Sequence, residues 1–251
     1  MNFQPILLFL ITLFTLYGSF TKHVYVWNEW VWIYMKPTIT ILVIIYAFLR
    51  PVSKATVNYK RLVIVGLVFS LGGDVFLQYG FFIYGLVSFL IAHIFYTIAY
   101  FSGIKLKFSA LGIMMFAIPL AGFLFYLTPY LPEDKKIPVY CYCFVIMLMG
   151  VASYERNRIL KSGPTKKLLF GAIFFIISDI LLAIALFAHP ISYLRFFNYC
   201  TYILGQWGIS ASIDLDQLPK DSDKGEKQSS NQKKPKKDLK KKNNKRTRKE
   251  K

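Results

Sequence analysis

The sequence predicts an all-α, polytopic integral membrane protein with eight transmembrane helices and a disordered basic C-terminal tail. Three observations support this fold class: 55% of the 251 residues are hydrophobic, 18% are aromatic, and the mean hydropathy is +0.42. A water-soluble globule of this length cannot bury so many apolar side chains. The composition therefore excludes a soluble enzyme, a disulfide-rich secreted domain and a wholly disordered chain.

Eight apolar runs approach the length of roughly 17–25 residues that a helix needs to cross a bilayer. They lie at residues 5–20, 31–49, 62–79, 82–101, 108–128, 138–153, 168–188 and 194–213. No basic residue precedes the first run and no clear small-residue cleavage site follows it, so we interpret it as a retained span and not a secretory signal. Residues 1–213 therefore form the predicted transmembrane domain.

The basic residues between these runs predict the orientation of the chain. With the N-terminus in the cytoplasm, the inner loops contain eleven Lys and Arg residues and the outer loops contain four. Because Lys and Arg accumulate in short cytoplasmic loops, this difference favours a cytoplasmic N-terminus. An even number of crossings then returns the C-terminus to the same side.

Residues 214–251 form the predicted tail, which contains 15 Lys and Arg residues against seven acids. This composition cannot bury enough apolar surface to offset the entropy of ordering, so we predict disorder. The position beside the last span favours attraction to an anionic lipid surface over binding to nucleic acid. The final four residues, 248–251, resemble a dilysine-type retrieval signal, which predicts the endoplasmic reticulum.

An internal repeat relates two predicted spans at an offset of 105 residues. Residues 66–77 and 171–182 both follow the pattern Gly-x-x-Phe-x-x-x-small-Asp-x-x-Leu. Two four-helix halves would produce this pattern, and so would chance similarity between apolar helices. In either case one aspartate, Asp74 or Asp179, lies at a comparable depth in each half.

Asp74 and Asp179 are the candidate catalytic residues, because they are the acids inside the eight predicted spans. A charged side chain near the bilayer centre costs about 2.5–3.5 kcal/mol, so it faces the bundle interior and indicates a functional site. An interhelical contact that locks the bundle is the structural alternative.

Other polar side chains within the spans are candidates for substrate binding. Ser70 lies one helical turn before Asp74 and shares its face. Lys36 is interpreted as a cation for a phosphate group, as a counter-ion for an aspartate, or as a side chain that snorkels to the interface. The full set is Lys36, Ser70, His93, Tyr96, Ser178, Tyr202 and Gln206.

The sequence predicts no cofactor and no metal ion in this site. A zinc hydrolase needs about three protein ligands, but His23 and His189, two of the three histidines, lie at or outside the membrane edge. The sequence also lacks a Gly-rich phosphate loop, a nucleophilic serine motif and a Cys-His pair. Binding of Mg²⁺ or Ca²⁺ between the aspartates stays open.

The ordered set of these motifs resembles the YhhN-like lysoplasmalogenase family. The resemblance covers nearly the whole membrane part but not the tail, and it rests on Lys36-Pro37, residues 66–74, residues 85–96, Phe174 with Ser178-Asp179, and Tyr202 with Gln206. It implies an eight-span enzyme that hydrolyses the vinyl-ether bond of lysoplasmalogens. The implied products are a fatty aldehyde and glycerophospho-ethanolamine or glycerophospho-choline, so the implied partner is a lysophospholipid.

The chemistry of vinyl ethers suits two carboxyl groups. Hydrolysis needs a proton donor for carbon and a negative group beside the resulting cation. Two carboxyl groups in a poorly hydrated pocket can divide these roles, and the sequence leaves open which aspartate is the acid. A transporter built from two four-helix halves and a lipid-binding protein without enzymatic activity are the rival interpretations.

Overall fold

A computed structural model describes residues 29–105 and 108–214. Within these ranges the chain is helical and has no β-strand. The helices are α1 (Glu29–Leu49), α2 (Val57–Gln78), α3 (Phe82–Phe101), α4 (Ala110–Leu127), α5 (Glu133–Leu160), α6 (Gly163–Ala183) and α7 (Ser192–Ala211). Short helical turns at Lys54–Thr56, Thr128–Tyr130 and Ile184–Ala188 adjoin α2, α4 and α6.

The described helices are those of a polytopic membrane protein. Five of them, α2 to α6, are long and apolar enough to cross a membrane, and Lys36–Leu49 within α1 is a shorter apolar stretch. Seven of the eight predicted runs coincide with α1 to α7. The first predicted span, 5–20, lies outside the described residues, as does the tail beyond residue 214. All described residues belong to the first of the chain's two units, Met1–Gln217.

Helix α5 is longer than the apolar run at 138–153 predicts, because it has 28 residues and charged groups at both ends. Glu133 and Asp134 lie in its first turn, where the helix dipole favours negative charge. Near its other end Arg156, predicted to lie in a loop, is 1% exposed. The Arg156 guanidinium donates to the carbonyls of Tyr100 (2.9 Å) and Ser102 (2.8 Å), which explains its burial.

Helices α2 and α3 form a tightly packed antiparallel hairpin. Gly80 joins them with φ +80°, a conformation that glycine adopts without strain. A Cβ atom at Gly66 would lie 2.4 Å from the Tyr96 ring, and one at Gly73 would lie 2.4 Å from the Phe89 ring. The two glycines therefore let aromatic rings of α3 lie directly against α2, beside Asp74.

Helices α6 and α7 approach each other through their backbones. A Cβ atom at Gly171 would lie 2.5 Å from the Ile209 nitrogen and 2.8 Å from the Gly205 carbonyl oxygen. Small residues at such positions allow close helix contact in membranes. This contact fixes the register between Asp179 on α6 and Tyr202 on α7.

Candidate active site

Asp74 lies at the centre of a buried polar cluster formed by α1, α2 and α7. Its Oδ2 atom accepts hydrogen bonds from Thr40 Oγ1 (2.5 Å) and from the Tyr202 hydroxyl (2.6 Å). Lys36 Nζ lies 3.9 Å from Asp74 Oδ1, and the two side chains are 8% and 0% exposed. The Lys36 ammonium also lies 4.4 Å from the centroid of the Tyr202 ring. Of the three interpretations of Lys36, this position supports the counter-ion.

A chain of hydrogen bonds leads to Asp74 from α2, α3 and α7. The Ser70 hydroxyl lies 3.1 Å from the Tyr96 hydroxyl, which donates to Gln206 Oε1 (3.3 Å). Gln206 Nε2 donates to the Tyr202 hydroxyl (2.9 Å), and Tyr202 donates to Asp74. Each donor points toward the carboxylate, so the network orients Asp74 and offsets the cost of burying its charge. Together with Lys36, five predicted binding residues are therefore connected to one aspartate.

Asp179 belongs to a second polar cluster, formed by α3, α5 and α6. The Tyr142 hydroxyl donates to Asp179 Oδ2. His93 Nε2 lies 2.8 Å from the Tyr142 hydroxyl and 3.6 Å from Asp179 Oδ2. The His93 side chain is fully buried, whereas the Asp179 side chain is 17% exposed. Asp179 is thus positioned by its neighbours and still accessible.

Two aromatic rings lie between the clusters. The Phe175 ring centroid lies 4.9 Å from that of His93 and 5.4 Å from that of Tyr202. The Phe89 ring contacts both of those rings and Phe175 as well. The rings exclude water from the space between the clusters, so charges on either side of them are weakly screened. The two carboxyl groups therefore share one poorly hydrated environment.

A cavity of about 120 Å³ lies between α3, α4, α5 and α6, and Asp179 lines it. Tyr142 also lines the cavity, and the rest of the wall is mostly aliphatic and aromatic. Asp74 does not contribute to the lining of this cavity. The wall includes Leu86, Phe116, Leu120, Val139, Ile146 and Ile176. An apolar ligand in the cavity would therefore contact Asp179, whereas Asp74 lies outside the cavity wall.

Ser178 forms hydrogen bonds to Asn198 and not to either aspartate cluster. Its hydroxyl donates to the Asn198 carbonyl (3.2 Å) and accepts from Asn198 Nδ2 (2.9 Å), while Asn198 Nδ2 also donates to the Ser178 carbonyl (2.7 Å). The structure thus uses Ser178 to hold α6 against α7. Its proposed role in substrate binding gains no support from this position.

Two polar residues of the site were not predicted. Thr40 lies four residues after Lys36 and hence on the same helical face, a spacing that could have revealed it. Tyr142 is one of 17 tyrosines, and nothing in the sequence distinguishes it from the others. In residues 29–105 and 108–214, no three His, Cys, Asp or Glu side chains are grouped as metal ligands would be.

Comparison with known proteins agrees with the motifs. A model of the YhhN family matches residues 31–213, a range that contains every site residue described above. The chain belongs to the YhhN family. Relatives include lysoplasmalogenase TMEM86A from Homo sapiens, 33% identical over 170 residues that cover 62% of this chain and 67% of the relative. Lysoplasmalogenase TMEM86A from Bos taurus is 31% identical over the same shares of the two chains. No solved structure matches the chain.

The family match confirms the resemblance drawn from Lys36-Pro37 and the two aspartate motifs. It extends from α1 to the end of α7, so the polar clusters and the cavity all lie within the region that defines the family. Residues 214–251 lie beyond it.

Proposed function

We propose that the protein hydrolyses the vinyl-ether bond of lysoplasmalogens, releasing a fatty aldehyde and glycerophospho-ethanolamine or glycerophospho-choline. Both relatives above are named lysoplasmalogenases. The position of Asp179 carries the proposal, because its carboxyl group lines an apolar cavity and is oriented by Tyr142. Apolar pockets with a few convergent polar groups are typical ligand sites.

In the proposed reaction Asp179 is the proton donor. It protonates the vinyl carbon beta to the ether oxygen, which leaves an oxygen-stabilised cation at the alpha carbon. Water adds to that carbon and loses a proton to the Asp179 carboxylate, forming a hemiacetal. The hemiacetal collapses as Asp179 protonates the glycerol oxygen and the bond between that oxygen and the alpha carbon breaks. The hydroxyl proton returns to Asp179, so aldehyde and alcohol are released and the acid is restored. General acid catalysis of this kind contributes typically 10²–10⁴-fold to a rate.

Asp74 acts through its charge. Its carboxylate is held by Thr40, Tyr202 and the ammonium of Lys36, and it lies across two aromatic rings from Asp179. A fixed negative charge in a poorly hydrated region stabilises a developing cation without the cost of reorienting water. Lys36 is the counter-ion that makes this buried charge tolerable.

The same geometry gives the remaining residues positioning roles. His93 orients the Tyr142 hydroxyl, and Tyr142 orients Asp179. Ser70, Tyr96 and Gln206 act on Asp74 through Tyr202. Gln206 therefore supports a carboxylate in this proposal and does not contact the substrate.

The decisive experiment measures aldehyde release by purified protein in detergent. The substrate is a lysoplasmalogen, with the saturated-ether analogue as the control lipid. We expect Asp179→Asn to lower kcat by at least about 10²-fold, because the amide cannot donate the proton. Asp74→Asn should lower kcat by about tenfold or more through loss of the fixed charge.

Asp134→Asn is the matched control, because Asp134 is an exposed acid in the first turn of α5, away from both clusters. It should release aldehyde at the wild-type rate. Full activity in both Asp179→Asn and Asp74→Asn would contradict the mechanism. Absence of aldehyde with folded wild-type protein would contradict the enzymatic function and favour lipid transport or lipid binding.

We further propose that the chain crosses the endoplasmic reticulum membrane eight times with both termini in the cytoplasm. The seven described helices and the excess of basic residues in the inner loops support this topology. Residues 214–251 would then lie against the anionic cytoplasmic leaflet. Labelling of single cysteines introduced at residue 2 and residue 230 by a membrane-impermeant reagent, before and after permeabilisation, tests the orientation.

A further inference from the structure

One lysine lies at the end of the cavity where α3 and α5 begin. Lys135 Nζ lies 5.5 Å from the centroid of the Phe82 ring and 5.9 Å from that of Phe187. The two rings meet edge to face at 5.3 Å, and both line the cavity that contains Asp179. A cation therefore lies against two rings of the cavity wall, and the Asp179 carboxyl group belongs to the same wall.

Unlike Lys36 and Lys136, Lys135 forms no ion pair within the described part of the chain. The next residue, Lys136, binds Glu133 Oε1 at 2.6 Å. Lys36 is paired with Asp74. The ion pairs found among the described residues do not include Lys135. Held over two rings, its ammonium remains available to an anion.

The spacing along α5 between Lys135 and Tyr142, the hydrogen-bond partner of Asp179, fits a glycerophospholipid headgroup. Seven residues separate Lys135 from Tyr142 on α5, which corresponds to about 10 Å along the helix. Seven residues also separate Phe82 from Phe89 on the facing helix α3. In a lysoplasmalogen, seven bonds join the phosphorus atom to the vinyl carbon that must be protonated, a span of about 9 Å when extended.

We propose that Lys135 binds the phosphate group of the substrate and so places the vinyl ether at Asp179. This inference rests on the proposed function and assigns the phosphate contact that the site near Asp74 does not supply. The alkenyl chain leaves the cavity beside α4, which packs mainly against α5 and whose most apolar stretch is only 11% buried. Lys135 is thus a specificity-determining residue for lipids that carry a phosphate.

The test compares lipids with and without phosphate. The variants are Lys135→Gln, which removes the charge, and Lys135→Arg, which keeps it. Lys136→Gln is the matched control, since it removes the neighbouring charge at a site bound to Glu133. For lysoplasmalogen, Lys135→Gln should raise KM about tenfold with little change in kcat, as expected for loss of one charge-assisted contact. Lys135→Arg and Lys136→Gln should stay within about twofold of wild type.

The phosphate-free substrate 1-alkenylglycerol separates phosphate binding from a general defect. Its KM should be unchanged in Lys135→Gln. An equal rise in KM for both substrates, or no rise for either, would overturn the assignment. Because Lys135→Arg retains the cation, loss of activity in that variant as large as in Lys135→Gln would also count against it.

Equilibrium binding of a saturated 1-alkyl lysophospholipid makes the result independent of hydrolysis. Lys135→Gln should weaken this binding about tenfold relative to wild type and to Lys136→Gln. If wild type binds the alkyl lipid but releases no aldehyde from lysoplasmalogen, the proposed reaction is contradicted. The Lys135 assignment is then decided by binding alone: it holds if Lys135→Gln weakens binding about tenfold and is overturned if binding is unchanged. If wild type does not bind the alkyl lipid, the assignment is overturned.

Discussion

The hydroxyl of Tyr142 connects His93 to Asp179, so a single oxygen atom orients the proposed proton donor. Tyr142→Phe removes that oxygen and keeps the ring. Asp179 becomes a carboxylate as it gives up its proton, and a hydrogen bond to a charged group is worth about 1.5–3 kcal/mol. We therefore expect kcat/KM for aldehyde release to fall about 10- to 100-fold. Steady-state kinetics with lysoplasmalogen measure this loss.

Tyr140 provides the control for that substitution on the same helix. Its hydroxyl lies 3.0 Å from Thr128 Oγ1, away from both aspartates. Tyr140→Phe should therefore keep kcat/KM near the wild-type value. Equal activity of Tyr142→Phe and wild type would show that the proton donor does not depend on this contact.

The sequence predicts the two aspartates and Tyr202, but not the other two hydrogen-bond donors, Thr40 and Tyr142. Asp74 and Asp179 are conspicuous because charge inside an apolar span is costly. Tyr142 and Thr40 belong to residue types that are common in membrane helices, and only the packing of distant helices shows that they meet the carboxyl groups. The same packing turns Ser178 toward Asn198, although its motif matches that of Asp74.

At the scale of helices, the contact between α6 and α7 controls the geometry around Asp74. Gly171→Ala places a methyl group 2.5 Å from the Ile209 nitrogen and 2.8 Å from the Gly205 oxygen, and neither backbone atom can rotate away. The helices must separate, which typically costs about 1–3 kcal/mol. We expect a lower thermal unfolding midpoint in detergent and lower aldehyde release, because Tyr202 moves with α7.

Gly122 on α4 is the matched position for that experiment. A Cβ atom there meets nothing within 4 Å, so Gly122→Ala should be neutral or slightly stabilising. An unfolding midpoint for Gly171→Ala equal to that of Gly122→Ala would contradict the close contact between α6 and α7.

The bounds of the helices show which part of an element a hydropathy pattern can predict. The apolar runs locate α1 to α7 because bilayer thickness sets the length of an apolar stretch. They do not locate the charged ends of α5, since Arg156 is buried by carbonyls at the end of α3 and by the Tyr59 ring of α2. Such partners come from tertiary structure, which hydropathy does not encode.

For the whole molecule, the two aspartate motifs have similar surroundings and different access. Each aspartate accepts a hydrogen bond from a tyrosine hydroxyl of another helix and lies near a basic side chain. For Asp74 these are Tyr202 and Lys36. For Asp179 they are Tyr142 and His93. The cavity reaches Asp179 alone of the two. This difference in access supports the proposed roles, in which Asp74 stays charged and Asp179 donates the proton.

We expect the catalytic site and the retrieval signal to lie in separate parts of the chain. All residues of the proposed site lie within 31–213, whereas residues 214–251 contain 15 Lys and Arg residues and a dilysine-like end. A protein that ends at Gln217 should therefore release aldehyde in detergent within about twofold of the full chain, because no proposed contact is lost. In cells, microscopy should show the shortened protein leaving the endoplasmic reticulum. Full-length protein with Arg248→Ser and Lys249→Ser should leave it as well, because these residues occupy the two basic positions of the dilysine-like signal. Loss of aldehyde release in detergent on truncation would instead make the basic tail part of the active unit.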